Sequence, residues 1–558
     1  MTLRPTRLRK GMVVAAAAAL LMAGCADSER EGSGGDGGGG GGGDEPTTGG
    51  TFVFAGSADP VTLDPFFASD GESFRPARQI FEGLVGTKPG TADPAPLLAT
   101  SWETSEDGLS TTFMLETGVK FHDGSDFNGE AACWNFDRWY NTPPGIGQTE
   151  DQSYYWISLF KGFAEGELTD SVFESCTVDG EDQITVKLTQ PFAGFVPALS
   201  LPSFSMQSQA AIEEYGAAEG DDPSQSAYAT EHPTGTGPFV FDSWERENQI
   251  TLQRNDDYWG DVALVDTVQI VPIAEPRARA DALENGEIDG FDLVGPADIA
   301  GLEEDGFQIL ERPAFNVLYL GINQGQKPLD DIRVRQAIAH AIDKDEVISN
   351  SMPEGTVPAT QFVPDLVNGY SEDVTSYEHD PDKARDLLAE AGAEDLTLMF
   401  NYPTDVTRPY MPSPGDTFNV IRGQLEEVGI TVEGTPDVWS PDYLDRVQGG
   451  NDHGIHLLGW TGDYNDTDNF LGVFFGRPSN EWGFDNKQIF DLLTEARGLP
   501  TVEEQLPLYQ DANEQIMEFL PGIPIASPVP SLAFAENVQG YVASPVQDEP
   551  WNLVSVEE

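Results

Sequence analysis

Cysteine, positive charge and long apolar runs are all scarce in this 558-residue chain. Three cysteines exclude a disulfide-stapled scaffold. Lys and Arg number 29 against 95 Asp and Glu, a formal net charge of −66, which excludes a basic face for nucleic-acid phosphates. The run Met12–Ala23 falls short of the ~20 apolar residues that cross a bilayer. What is present is enough to fold: 39% of residues are hydrophobic and 10% aromatic, so disorder throughout is excluded. At this length two or three domains are expected rather than one core.

The first 24 residues have the charge pattern of a secretory signal. Arg4, Arg7, Arg9 and Lys10 precede the apolar run, which closes in Met22-Ala23-Gly24-Cys25. A cysteine directly after a small pair resembles the bacterial lipobox, with Met22 where leucine is commoner. The resemblance implies that Cys25 is lipidated and becomes the new N-terminus; an ordinary signal with an incidental cysteine is the alternative. Removing residues 1–24 takes away four positive charges and leaves −70. From Ala26 to Gly50 the chain has no apolar run and holds the unbroken Gly37–Gly43. It reads as a flexible tether (residues 25–50 with its anchor) spanning roughly 25–30 Å.

Cys133 and Cys176 remain for the body. In an oxidising compartment their expected state is a disulfide, closing a loop of about 44 residues worth roughly 4 kcal/mol at most. Two buried thiols are the alternative. Either way the role is structural, and no histidine stands near enough in sequence to suggest a metal.

The body reads as α/β. Strand-like runs occur at Thr51–Phe54, Thr111–Leu115, Gln183–Leu188, Gln249–Arg254, Thr267–Val271, Val317–Gly321, Leu396–Asn401 and Gly454–Leu458. Helical periodicity alternates with them. Asp380-Pro381 opens a helix with the stripe Ala384, Leu387, Leu388 and Ala391, stopped by Gly392. A second helix is expected from about Asp331 to Ile348, with Val334, Ile338, Ala341 and Ile342 on one face.

Catalytic signatures are missing: the sequence has no G-x-S-x-G, no H-E-x-x-H and no G-x-x-x-x-G-K-[ST]. His453 and His456 fall on an expected strand, where i and i+3 point to opposite faces, so no shared metal is expected. His122-Asp123 reads as part of a turn. The acidic run Asp463–Asp468 lacks the glycine of a calcium loop at its sixth place. No metal or cofactor is implied.

An ordered set of segments resembles the extracytoplasmic solute-binding proteins of peptide-type ABC importers, the dipeptide/oligopeptide-binding family. The set begins with Leu63-Asp64-Pro65, Ile80-Phe81-Glu82-Gly83-Leu84-Val85 and Leu98-Ala99-Thr100-Ser101-Trp102. It continues through Asp107-Gly108-Leu109, Thr112-Phe113 and Gly118-Val119-Lys120-Phe121-His122-Asp123-Gly124. Gly235-Thr236-Gly237-Pro238-Phe239 reads as a tight turn before a strand, and the aromatics of Arg254-Asn255-Asp256-Asp257-Tyr258-Trp259-Gly260 as packing groups. Gly286-Glu287-Ile288-Asp289 and Val334-Arg335-Gln336-Ala337-Ile338 complete it. The resemblance implies a two-lobed periplasmic-binding-protein-like fold of type II. Lobe I would take 51–315, with an extra subdomain inserted at about 88–232, lobe II 316–524, and 525–558 would return to lobe I.

Two further segments resemble the dipeptide-binding branch. In Gly459-Trp460-Thr461-Gly462-Asp463 the aspartate corresponds to the residue that receives a ligand's α-ammonium. In Arg408-Pro409-Tyr410, followed by Pro412 and Pro414, the arginine corresponds to the one that grips the α-carboxylate. Physical chemistry asks for the same pair. A zwitterion stripped of water needs a partner at each end, and a guanidinium fork suits a carboxylate. Trp460 would supply an apolar wall and Ser69-Asp70-Gly71-Glu72 the face of lobe I. The branch often carries Asp-Pro where Asp466-Thr467 stands here, a change expected to loosen the loop.

These readings imply a lipid-anchored monomer on the outer face of a bacterial cytoplasmic membrane. It would capture di- or oligopeptides by closure and deliver them to permease subunits driven by a cytoplasmic ATPase. The other readings are a secreted lipoprotein hydrolase, or a receptor of the same fold for nickel complexes, sugars, haem or opine-like amino-carboxylates.

Overall fold

The computed structural model describes residues 47–149, 152–216, 222–449 and 453–557; the signal segment, Cys25 and most of the tether lie outside them. All eight expected strands are present, shifted by at most a few residues. They fall into separate sheets because their buried faces differ. Gln183–Leu188 alternates, with Ile184, Val186 and Leu188 inward. Asn316–Ile322 is buried at every residue, as a central strand covered on both faces must be.

The first lobe is built on a seven-stranded sheet. Thr51–Gly56 lies at its centre, parallel to Thr267–Pro272 on one side and Gly290–Asp292 on the other. Ser531–Phe534 and Gln308–Glu311 complete one edge, Gln249–Arg254 and Phe239–Glu245 the other. The second lobe is a six-stranded sheet in the order Val357–Pro358, Gly522–Ser527, Asn316–Ile322, Ile455–Thr461, Thr397–Pro403, Thr431–Asp437. Its strand Gly522–Ser527 pairs antiparallel with Asn316–Ile322. Between Thr87 and the 239–245 strand, the four-stranded sheet Ala99–Thr104, Ser110–Leu115, Gln183–Leu188, Phe173–Gly180 forms its own aromatic-rich core. Cys133, on the Gly129–Tyr140 helix, is bonded to Cys176 on the Phe173–Gly180 strand, tying helix to sheet within that subdomain.

The Pro381–Ala391 helix has the expected caps. The Asp380 carboxylate accepts from the Lys383 amide, and Gly392 takes the left-handed conformation at φ 68°. The expected 331–348 helix is two helices, Ile332–Ala341 and Lys344–Ser351. Asp343 is the reason: its carboxylate caps the second by accepting from the Glu346 amide, so local side-chain bonding interrupts a continuous apolar stripe.

Three of the recurring segments meet on one carboxylate. Glu82 is buried and accepts from the Tyr258 hydroxyl at 2.7 Å, Trp259 Nε1 at 2.8 Å and the Thr236 hydroxyl at 2.7 Å. Burial raises its pKa to about 7, against the pull of these donors. Gly235 and Gly237 are required by close approach. A Cβ at Gly235 would lie 2.2 Å from the Ile80 carbonyl oxygen, and one at Gly237 2.6 Å from that of Gln79.

A chain of two arginines and three carboxylates runs through the place where the backbone crosses between lobes. Arg312 follows the last strand before the crossing and grips Asp292 with both Nη atoms at 2.8 and 3.0 Å. Its Nη2 also reaches Glu549 at 2.8 Å, while Arg75 joins Asp292 at 2.9 Å and Glu72 at 3.2 Å. All five side chains are buried, so each charge depends on its neighbours. Among the described residues no helix is long and apolar enough to cross a membrane.

Candidate functional site

The second sheet decides where a site forms. Ile455–Thr461, Thr397–Pro403 and Thr431–Asp437 are adjacent and parallel, so their carboxyl ends share one edge. Chain leaving a parallel strand at that end opens a crevice that ligands use in α/β sheets. Asp463, Arg408 and Trp439 each lie just beyond one of these three strands. The strand bearing Trp460 is displaced from the expected 454–458, which puts Gly459, Trp460 and Thr461 inside it and Gly462-Asp463 at its exit.

Glycine in this segment answers to packing. A Cβ at Gly459 would lie 2.3 Å from the Tyr410 ring, and one at Gly462 2.3 Å from the Phe315 ring. Gly459 therefore makes room for Tyr410, and Gly462 seats the strand exit against the first crossing segment, where its amide also donates to the Phe315 carbonyl at 2.8 Å. Thr461 is paired with Asn316 at the end of the ladder. Trp460 is half-buried, edge-on to Phe474 with ring centres 5.9 Å apart.

Asp463 is positioned by two side chains. Asn469 donates from Nδ2 to Oδ2 at 3.0 Å while its Oδ1 accepts the Asp463 amide at 2.8 Å. The Tyr155 hydroxyl donates to Oδ1 at 2.7 Å. Tyr155 belongs to the inserted subdomain, on the helix Tyr154–Phe160, so this bond joins that subdomain to the second lobe. Burial raises the Asp463 pKa to about 6, opposed by the Asn469 and Tyr155 hydrogen bonds and the charge of Arg78. A carboxylate so placed gains from a cation.

Arg408 stands in the converse situation. It begins a tight turn in which its amide and carbonyl both bond to Met411. The turn buries Tyr410, whose pKa rises to about 12 mainly through that burial. The Arg408 guanidinium lies 4.7 Å from the Trp439 ring centre, a cation–π contact. Its Nε is buried without a hydrogen-bond partner, and no carboxylate among the described residues forms an ion pair with it. An arginine without an ion-pair partner in a chain so rich in acids is available to an anion.

The sequence left three contributors unnamed: Tyr155, Asn469 and Trp439. None sits in a distinctive motif; only the fold brings them in. The Asp466-Thr467 departure does not loosen the loop. Thr467 is buried and its hydroxyl donates to the Asn368 carbonyl, so a hydrogen bond supplies a restraint that proline would supply by its ring. The histidine reading needs correction: His453 precedes the strand rather than lying in it, and its ring centre is 5.0 Å from that of His456. Both are buried, with Nε2 of His453 at 2.8 Å from the Glu481 carbonyl oxygen and Nε2 of His456 at 3.0 Å from its carboxylate. Among the described residues no group of three or more His, Cys, Asp or Glu is arranged to hold a metal.

Residues 93–482 match the family described as bacterial extracellular solute-binding proteins, family 5. The chain is 30% identical to the dipeptide-binding protein of Escherichia coli K12 over 524 residues, covering 91% of this chain and 95% of that one. It is 30% identical to heme-binding protein A of Haemophilus influenzae over 523 residues, covering 92% and 93%. Among solved structures it is similar to the periplasmic binding protein DppA of Helicobacter pylori in complex with the peptide STSA. That match has 28% identity and TM-score 0.76, covering 92% of this chain and 99% of that one.

Proposed function

The chain belongs to the bacterial extracellular solute-binding proteins of family 5, and from that premise we propose that it binds peptides by their two charged ends. Asp463 receives the α-ammonium and Arg408 the α-carboxylate, with Trp460, Thr461, Gly462 and Tyr410 shaping the pocket between them. The observation that carries this reading is the pair itself. A carboxylate destabilised by burial and a guanidinium without an anionic partner leave adjacent strands at the same sheet edge.

Ligand bridging the lobes favours the closed arrangement, in which Tyr155 of the inserted subdomain reaches Asp463. Hand-off then needs only reopening against the membrane subunits of an ABC importer, and no covalent step. The relatives named for dipeptide and for peptide STSA support the ligand class. Cys25, lipidated and followed by the glycine tether, would hold the monomer at the outer face of the membrane.

Isothermal titration calorimetry with Ala-Ala tests the site. Binding by the parent chain, lost by more than about tenfold in both Arg408→Ala and Asp463→Ala, is the expected result. Unchanged affinity in both variants would reject the two-pole site. Turnover of the peptide would reject a binding protein altogether. A native mass spectrum of ligand retained on purification identifies what the chain carries.

A further inference from the structure

The helix that brings Tyr155 to Asp463 is tied to the second lobe at its far end as well. Tyr154–Phe160 has only 7 residues, too few to persist without packing. The chain that follows does not satisfy its last carbonyls. The Lys161 amide returns to Ile157 at 3.2 Å, Gly162 bonds to Phe160 at 2.9 Å and Phe163 to Leu168 at 2.7 Å. The Ser158 and Leu159 carbonyls are thereby left to other donors.

Arg497 reaches both. It ends the second-lobe helix Lys487–Arg497, and its Nη2 donates to the Ser158 carbonyl at 3.2 Å and to the Leu159 carbonyl at 3.3 Å. Lys161 shares the first, donating from Nζ at 2.6 Å. The Arg497 guanidinium also lies 5.4 Å from the ring centre of Phe192, another residue of the subdomain. A cation here meets the negative end of the helix dipole.

On its own lobe Arg497 pairs through Nη1 with Asp468 at 3.1 Å. Asp468 immediately precedes Asn469, which positions Asp463. One guanidinium therefore joins the last turn of the Tyr155 helix to the segment that bears the ammonium pole. The subdomain and the second lobe meet closely around this link. A Cβ at Gly194 would lie 2.7 Å from Asp466 Oδ2, and one at Gly108 2.9 Å from Pro500 Cβ.

We infer that Arg497 is a latch: a positioning residue that keeps the Tyr155 helix docked on the second lobe and so slows release of peptide without touching it. The effect on release rests on the two-pole reading; the docking rests on the contact between subdomain and lobe alone. Ligand held only while the helix is docked leaves faster when docking weakens.

Arg497→Met keeps an apolar stem against Phe192 and removes every donor. Alone it leaves the buried Asp468 carboxylate without its partner, so it is compared with Arg497→Met/Asp468→Asn, which leaves no charge unpaired. Hydrogen exchange of the ligand-free full chain reads docking directly. Amides of residues 157–161 are expected to exchange about fivefold faster in both variants, with those of the Gly129–Tyr140 helix unchanged. Stopped-flow kinetics with Ala-Ala are expected to show dissociation about fivefold to tenfold faster in both, and association within about twofold of the parent.

Unchanged exchange in the double variant would overturn the latch, whether or not peptide binds. Dissociation that returns to the parent rate in the double variant would also overturn it, because the defect would then lie in the unpaired Asp468. Faster exchange with unchanged dissociation would overturn the link to release. Faster exchange in a chain whose parent form does not bind Ala-Ala would overturn the peptide reading and leave the docking role standing.

Discussion

The Tyr155 hydroxyl and the Asp463 carboxylate meet at 2.7 Å, one of several hydrogen bonds that join the inserted subdomain to the second lobe. A phenol is a neutral donor, so it holds the carboxylate without cancelling its charge and leaves Asp463 attractive to an ammonium. Tyr155→Phe removes the bond and keeps the ring against Phe74. The expected outcome is a loss of about threefold to tenfold in peptide affinity at pH 8, read by calorimetry. Because the bond holds the Asp463 pKa down, its loss also moves the acid limb of binding upward in pH. A purely structural role for Tyr155 would change the affinity without moving that limb.

The sign of the pH dependence follows from Asp463 itself. With its carboxyl raised to about 6, the free site is ionised above that pH and protonated below it. A bound ammonium favours the ionised form, so ligand lowers the pKa and binding releases a proton. Affinity is expected to be greatest near pH 7, to fall by up to about tenfold per unit below pH 6, and to fall again above about pH 8 as the ligand's own α-ammonium loses its proton. Titrations at pH 6 in buffers of different ionisation enthalpy should show proton release, and Asp463→Asn should abolish both that release and the fall below pH 6.

Arg408 makes a different demand, for geometry as well as charge. Its guanidinium rests on Trp439 and presents a planar fork. Arg408→Lys keeps the charge but loses both the stack and the bidentate grip. Its affinity is expected to fall at least about tenfold, with Arg408→Ala weaker still. Equal affinity in the lysine variant would show that charge alone suffices.

Legibility tracked locality. The Pro381–Ala391 helix was readable because its caps, Asp380 and Gly392, are neighbours in sequence. Asp463 and Arg408 were readable because each sits in a short motif that resembles a known branch. Tyr155 was not: it lies 308 residues from its partner, and nothing local marks it. The histidines misled because both were placed on one strand, whereas His453 sits before Ile455, outside the pleat that would separate i from i+3. The glycines of the 235–238 segment looked like turn residues; the carbonyls they must avoid belong to a helix more than 150 residues upstream.

Asp466 gives a stability prediction independent of ligand. It is buried, and burial followed by the charge of Asp468 raises its pKa to about 7. An unfolded aspartate titrates near 3.8. The folded state therefore holds its proton more tightly, and the stability this confers, fully present below the unfolded value, is lost as pH rises towards 7. Asp466→Asn carries no charge at any pH, and its side-chain oxygen can still accept the Asp468 amide, which donates to Asp466 Oδ1 at 2.7 Å. The variant is expected to match the parent near pH 4 and to exceed it by about 2–4 kcal/mol at pH 8. Denaturant unfolding at the two pH values measures the difference, and a variant less stable than the parent at pH 8 would show that Asp466 is held in its ionised form by the fold.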